Sequence, residues 1–190
     1  MFAQKAKVES IIAASLGDSS FRPEFWNNDP GRLMSNNCYT YALNCYFSDL
    51  KHCDFPRPGD RYSALHNMQE WWRRHNPLDM ERHLLNDGLR KVDTQLGMTA
   101  RPGFYLVACF VDLGATPDFH FMRQHPDGRW SHKIGAFSPV SDLDAENIVI
   151  ADPRTARRQI RYGHESRFLG FFEVPNNGIR LYAPPKTDTG

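Results

Sequence analysis

At Arg101-Pro102-Gly103 the chain changes character, and this change constrains its fold more than any other feature. Phe104 to Val111 follows as a continuous apolar run of β-favouring residues, and the segments after it are short and punctuated by turns. Strands are expected over Phe104 to Asp112, Asp118 to His125, Arg129 to Ile134, Asn147 to Ala151 and Phe168 to Val174. Before the boundary the apolar spacing is helical. One helix is expected over residues 5 to 16, where Ala6, Val8, Ile11, Ile12 and Leu16 share a face before Gly17. Others are expected over Tyr62 to His75 (Leu65, Met68, Trp72) and Met80 to Leu96, the last weakened by Gly88 at a cost of ~1 kcal/mol against alanine. Asp18 to Met34 is rich in Ser, Asn, Asp, Pro and Gly, so it is expected to be an ordered loop pinned by Phe21, Phe25 and Trp26. Helices first and strands after imply an α+β fold, with N-terminal helices packed on one side of an antiparallel sheet.

A chain of 190 residues is long enough to bury a core and short enough for one domain, expected over residues 1–183 with a disordered tail over 184–190. A net charge of +1 and dispersed aromatics give no basic stripe, so nucleic acid is not an expected partner. No segment approaches the ~20 apolar residues of a membrane span. The apolar run Ile11-Ile12-Ala13-Ala14 is too short for a signal-peptide core and follows Glu9, so neither membrane nor signal peptide is expected. The protein is expected to be cytoplasmic, or secreted by a signal-independent route. Cys38, Cys45, Cys53 and Cys109 form no CxxC pair and are expected to be reduced.

Ser35-Asn36-Asn37-Cys38-Tyr39-Thr40-Tyr41-Ala42-Leu43-Asn44 delivers a cysteine to the first turn of a short helix. Unsatisfied N–H groups and the helix dipole favour a thiolate there. Cys38, Tyr41, Ala42 and Cys45 fall on one face, which is expected to point inward. The plainer reading of Cys38 is a buried, inert thiol.

A thiol nucleophile needs a base, and the base needs an orienting group. Asp118 to Gln124 is a strand, His125-Pro126-Asp127-Gly128 a turn, and Arg129 to Ile134 the return strand. A three-residue Pro126-Asp127-Gly128 loop would set His132 opposite Met122, on the face of His120. A two-residue Asp127-Gly128 turn would move His132 to the other face and align Phe119 and Phe121 with Trp130 and Ile134. The pattern leaves both registers open. Asp152, at a strand end before Pro153, is an alternative orienter of His120, or a turn cap. Asp118 lies two residues from His120, and His164 reads as loop surface. His120, His125, His132 and an acid could hold zinc, but no HExxH or paired Cys/His spacing is present, so no metal and no cofactor are expected.

A cysteine opening a helix, then a strand histidine, then a second histidine twelve residues on across a hairpin resembles the NlpC-type cell-wall cysteine peptidases, a branch of the papain-like fold. The resemblance covers roughly residues 30 to 135. It implies Cys38 as nucleophile, His120 as general base and His132 as the orienter. It departs from the family at the nucleophile, where Asn37-Cys38-Tyr39-Thr40 replaces the common Asp-Cys-Ser/Thr-Gly, and at Pro117-Asp118-Phe119-His120, which lacks the usual Gly-His-Val-Gly. The implied chemistry is an acyl-enzyme on Cys38 formed from an amide and then hydrolysed. The backbone N–H of Cys38 would help to hold the oxyanion, with a side chain of Asn36 or Asn37 as second donor. Trp71 and Trp72 are core or groove lining, and Trp130 is a candidate for binding an apolar or sugar-like part of the substrate. The implied substrate is a peptide or peptidoglycan-like amide, in the setting of a bacterial effector or toxin with an inhibitor or immunity protein as partner. A thiol acyltransferase and a non-catalytic binding module on the same scaffold are the alternatives.

Overall fold

The computed structural model describes residues 11–50, 53–60, 79–93, 98–114, 117–158 and 165–184. In chain order the first elements are β1 (Ile11–Ile12), β2 (Ala14–Ser15), α1 (Pro23–Asn27), α2 (Pro30–Met34), α3 (Cys38–Ala42), β3 (Cys45–Tyr46) and α4 (Met80–Asn86). The sheet elements follow: β4 (Arg90–Lys91), β5 (Phe104–Leu113), β6 (Asp118–Gln124), β7 (Trp130–Lys133), β8 (Val140–Ser141), β9 (Glu165–Pro175) and β10 (Tyr182–Ala183). β4 to β9 form an antiparallel six-stranded sheet of order β4-β9-β5-β6-β7-β8. β1 pairs with β10 and β2 with β3. The fold is α+β.

The apolar run forms β5 because this strand is buried on both faces. Tyr105, Val107, Cys109 and Val111 join Phe119, Phe121, Phe172 and Val174 in one cluster, which α3 and α4 cover with Tyr39, Ala42, Met80 and Leu84. Leu106, Ala108 and Phe110 point the other way, into a second cluster with Met122, Trp130, Ile150 and Phe171. Each large side chain so buried contributes about 1.5–3 kcal/mol. Continuous apolarity is thus the mark of a central strand. The β5–β9 register shifts at Cys109 and Phe110, which oppose Gly170 and Phe168, so Leu169 is the extra residue of a bulge.

Several expectations change. Residues 11–15 are two short strands, because Ile11 and Ile12 find partners in Ala183 and Tyr182 and pairing overrides helical spacing. Residues 5–10 lie outside the described residues, as does the expected helix over Tyr62 to His75. The helix starting at Met80 ends at Asn86, ahead of Gly88 at φ +99°, and β4 follows. The loop over Asp18 to Met34 contains α1 and α2, each opened by a proline, whose fixed φ suits the first helical turn. Asn147 to Ala151 is not a strand. It makes a single bridge, Leu143 with Val149, while Ile150 N donates to Asp142 O and Ile150 O accepts from Trp130 N. At the C-terminus, Pro184 accepts a bond from Asp54 N, and residues 185–190 are outside the described set.

Candidate active site

α3 is held by the asparagines before it. Asn37 Oδ1 accepts from the N–H groups of Tyr39 and Thr40 at 3.1 and 3.0 Å, capping the helix. Asn36 is a clamp: Nδ2 donates to Arg32 O at 2.7 Å and Phe47 O at 2.9 Å, while Oδ1 accepts from Phe47 N at 2.9 Å. Asn44, at φ +55°, turns the chain out of the helix. The helix is therefore short and buried on every side instead of presenting one inward face, and Cys45 belongs to β3. Below it, His125 Nδ1 donates to Ser19 O at 2.7 Å and Nε2 bonds Ser131 Oγ at 2.6 Å. Ser131 bonds Tyr41 Oη, and buried Arg123 stacks on the Tyr41 ring 4.3 Å from its centroid. This network locks α3 to the β6–β7 hairpin.

The hairpin takes the three-residue loop. His125 N donates to Arg129 O at 2.9 Å, Gly128 adopts φ +86°, and His132 opposes Met122. The apolar alternation could not decide between the registers because both faces of the hairpin carry buried apolar residues, Phe119 and Phe121 on one and Met122 and Trp130 on the other. Trp130 opposes Gln124 and packs on Phe171 in the second cluster, away from Phe119 and Phe121. β7 pairs only with Met122 to Gln124, so the earlier part of β6 has no partner strand on that side. Cys38 occupies this edge: its Sγ–H donates to Phe119 O at 3.7 Å.

A cavity of about 350 Å³ wraps the same edge, lined by Asn37, Cys38, His120 and His132, by Asp112, Asp118 and Arg158, and by Ile134, Gly135 and Ala136. Cys38 enters from the α3 side of the sheet. His120 alternates with Phe119 and Phe121 and enters from the opposite face, so the two line one cavity without a direct hydrogen bond in this state.

The two imidazoles fix each other's protons. His132 Nε2 lies 3.0 Å from Leu143 O, and a carbonyl only accepts, so Nε2 carries the proton. In the neutral ring Nδ1 is then the acceptor, and it receives a 2.9 Å bond from His120 Nε2. Neutral His120 consequently has its lone pair on Nδ1, which no described residue engages. Burial first, then the neighbouring His132 and Arg158, hold His120 well below the ordinary histidine range. Burial likewise lowers His132, against the Leu143 hydrogen bond.

The thiol is not the resting thiolate that its helix position suggests. Burial, then the Asp118 carboxylate, push Cys38 up to about 12, outweighing the N–H groups of Phe121, Cys38 and Tyr39. At rest the pair is a neutral thiol and a neutral imidazole.

No family model and no solved structure matches the chain. An insoluble matrix shell protein 1 from Ruditapes philippinarum is 32% identical over 164 residues, spanning 85% of this chain and 94% of the relative. The chain belongs to this family. No helix among the described residues is long and apolar enough to cross a membrane.

In this member of the family the remaining sequence candidates fall away from the cavity or into scaffolding. Trp130 is fully buried and lines no part of the cavity, so it is not a substrate-binding residue. Asp152 is bound by Arg154, through Nη2 at 2.6 Å, and caps the turn after it, leaving His132 as the partner of His120. Both Nδ2 hydrogens of Asn36 are engaged, so Asn36 is not free as an oxyanion donor, whereas Asn37 lines the cavity and donates one Nδ2 hydrogen to Pro56 O at 2.8 Å, its second having no partner among the described residues. His125 is sequestered in the Tyr41 network, and no group of three or more metal-binding side chains occurs among the described residues. His164, Trp71 and Trp72 lie outside those residues.

Two features at or beside the cavity escaped sequence reasoning. Arg158 and Asp112 pair at 3.0 Å from segments far apart in the chain. Lys133, fully buried, donates to the carbonyls of Gly135 (3.1 Å), Ala136 (2.5 Å) and Ser138 (2.6 Å), folding the loop that walls the cavity. The only available signal was the turn-forming Gly135 after a lysine.

Proposed function

We propose that the protein is a papain-like cysteine hydrolase that cleaves an amide through an acyl-enzyme on Cys38. The observation that carries the reading is the His120–His132–Leu143 chain, which leaves a basic Nδ1 on His120 at the cavity that Cys38 also lines. Substrate entry displaces the thiol from Phe119 O, and its proton passes to His120 Nδ1 as sulfur attacks the carbonyl. The Cys38 N–H, at the start of α3, is the backbone donor assigned to the developing oxyanion. The imidazolium then gives its proton to the leaving nitrogen as the C–N bond breaks. Water, losing a proton to His120, cleaves the thioester and returns the thiol. Since both partners are neutral at rest, proton transfer accompanies attack instead of preceding it. The lining includes Ile134, 37% exposed, and Phe55, apolar surface suited to a peptide.

The name of the relative favours a second reading, a binding module of an insoluble matrix with no turnover. A chromogenic ester separates the two. Incubation with p-nitrophenyl acetate is expected to release a burst of one nitrophenol per chain and to leave an acetyl group on Cys38 by mass spectrometry, both lost in Cys38→Ala. Acetylation spread over lysines with no burst supports the binding module.

A further inference from the structure

The nucleophile and its base account for only part of the cavity wall. On the face of His120, Phe110 opposes His120 and Asp112 opposes Asp118 across the β5–β6 ladder. Arg158 lies over this patch, 4.1 Å from the Phe110 ring centroid and bonded to Asp112 Oδ1 at 3.0 Å. The two side chains are 8% and 13% exposed, and both line the cavity. Among the described residues this is the only side-chain hydrogen bond of the pair: the other guanidinium N–H groups and Asp112 Oδ2 have no hydrogen-bond partner there. The open valence of both members belongs to residues that line the cavity, where a ligand that displaces water must complete it.

The charges decide which ligand. A lone buried guanidinium would select a carboxylate, but Asp112 offsets Arg158, and Asp118 adds a further negative charge that Cys38 experiences. A neutral group with one acceptor and one donor side by side fits without bringing in charge. We infer that the Arg158–Asp112 pair is a substrate-binding site for a carboxamide, its carbonyl accepting from Arg158 and its NH2 donating to Asp112. The substrate class is then a peptide carrying a glutamine or asparagine side chain next to the scissile bond. The inference deepens the hydrolase reading and rests on it.

Thiol-directed reagents test it with no natural substrate in hand. Chloroacetyl-glutamine amide, chloroacetyl-glutamate amide and chloroacetyl-norleucine amide share a backbone and an electrophile, and differ only in the side chain presented to the pair. The glutamine reagent is expected to inactivate Cys38 about 10-fold or more faster than either of the others, as sites built of buried polar groups discriminate against ligands that leave them unpaired. Arg158→Met is expected to bring the glutamine rate down to that of norleucine. Asp112→Asn, close in shape, leaves Arg158 unopposed and is expected to narrow or reverse the preference of glutamine over glutamate. Because it preserves the volume of the pair, it keeps the test open if the arginine variant does not fold. Labelling of Cys38 at equal rates by all three, a faster glutamate reagent in the wild type, or unchanged ratios in both variants would overturn the carboxamide site alone. Absence of labelling at Cys38 by every reagent would overturn the nucleophile reading together with it.

Discussion

A thiol that helix geometry should activate is instead kept protonated, because at Cys38 burial is the larger effect. This inverts the usual reactivity test. Iodoacetamide is expected to alkylate Cys38 more slowly at neutral pH than a free cysteine, with the rate still rising beyond pH ~9, where an ordinary thiol has levelled off. A fast reaction near neutrality would show a preformed thiolate and defeat the neutral-pair mechanism. In the proposed hydrolase, turnover follows the other partner. His120 is a base whose folded pKa is depressed, so it is protonated only well below 6.5, and activity is expected to hold through neutral pH and fall only on acidification beyond that point. In the proposed mechanism His132 acts by holding the His120 tautomer. His132→Ala is expected to lower kcat by about 10²–10⁴-fold with little change in KM, and His132→Gln, which retains an acceptor, to restore part of the loss. Equal losses in both variants would mark His132 as a packing residue.

Elements bring these residues together, and their legibility in the sequence depends on how local the causes are. β5 and the β6–β7 hairpin were readable, since an apolar run and a Pro-Asp-Gly turn are signals within a few residues. The cysteine of α3 was readable for the same reason. The register was not, because Met122 and Trp130 give the face of His120 buried apolar residues as well, so the apolar pattern favours neither pairing. Nor was the Arg158–Asp112 pair, which joins the loop after β8 to the end of β5 and leaves no trace at either place. Asn37 carries a role that its position does not show: the sequence marks it only as the residue before Cys38, and its partners reveal a helix cap. Asn37→Ala is expected to lower stability by about 1 kcal/mol or somewhat more, given the added bond to Pro56, in chemical denaturation. Lys133 is the counterpart on β7. Lys133→Met strands three loop carbonyls and is expected to destabilise the fold by about 2 kcal/mol or more, and to raise the proteolytic susceptibility of residues 134–138. A loop that stays resistant in that variant would show that packing of Gly135 and Ala136 suffices.

At the scale of the whole molecule, the same buried groups set the response to acid. His120, His125 and His132 all have depressed folded pKa values, His125 at about 4, chiefly through burial. Between these values and the ordinary 6.5 the unfolded chain binds more protons than the folded one, so stability falls as pH drops through that window. Glu173 continues the trend lower down. Burial opposes its ionisation, but the Arg101 N–H and the Arg90 and Arg101 guanidiniums hold it below the usual 4.5, so its contribution is lost as pH falls past that value. Asp60 works the other way. Burial raises it to about 7 against its salt bridge with Arg57, so the folded chain takes up a proton there between 7 and 3.8 and gains stability on acidification. Three histidines against one carboxyl leave a net uptake on unfolding, and each net proton is worth about 1.4 kcal/mol per pH unit. Urea unfolding from pH 7 to pH 4.5 is therefore expected to show a steady loss of stability. Asp60→Asn removes the opposing group and should steepen the slope, whereas His125→Asn, if folded, should flatten it. A stability that is level across this range, or that rises towards acid, would mean that the histidines are solvated and protonated in the folded chain, and the neutral His120 on which the chemistry depends would fall with them.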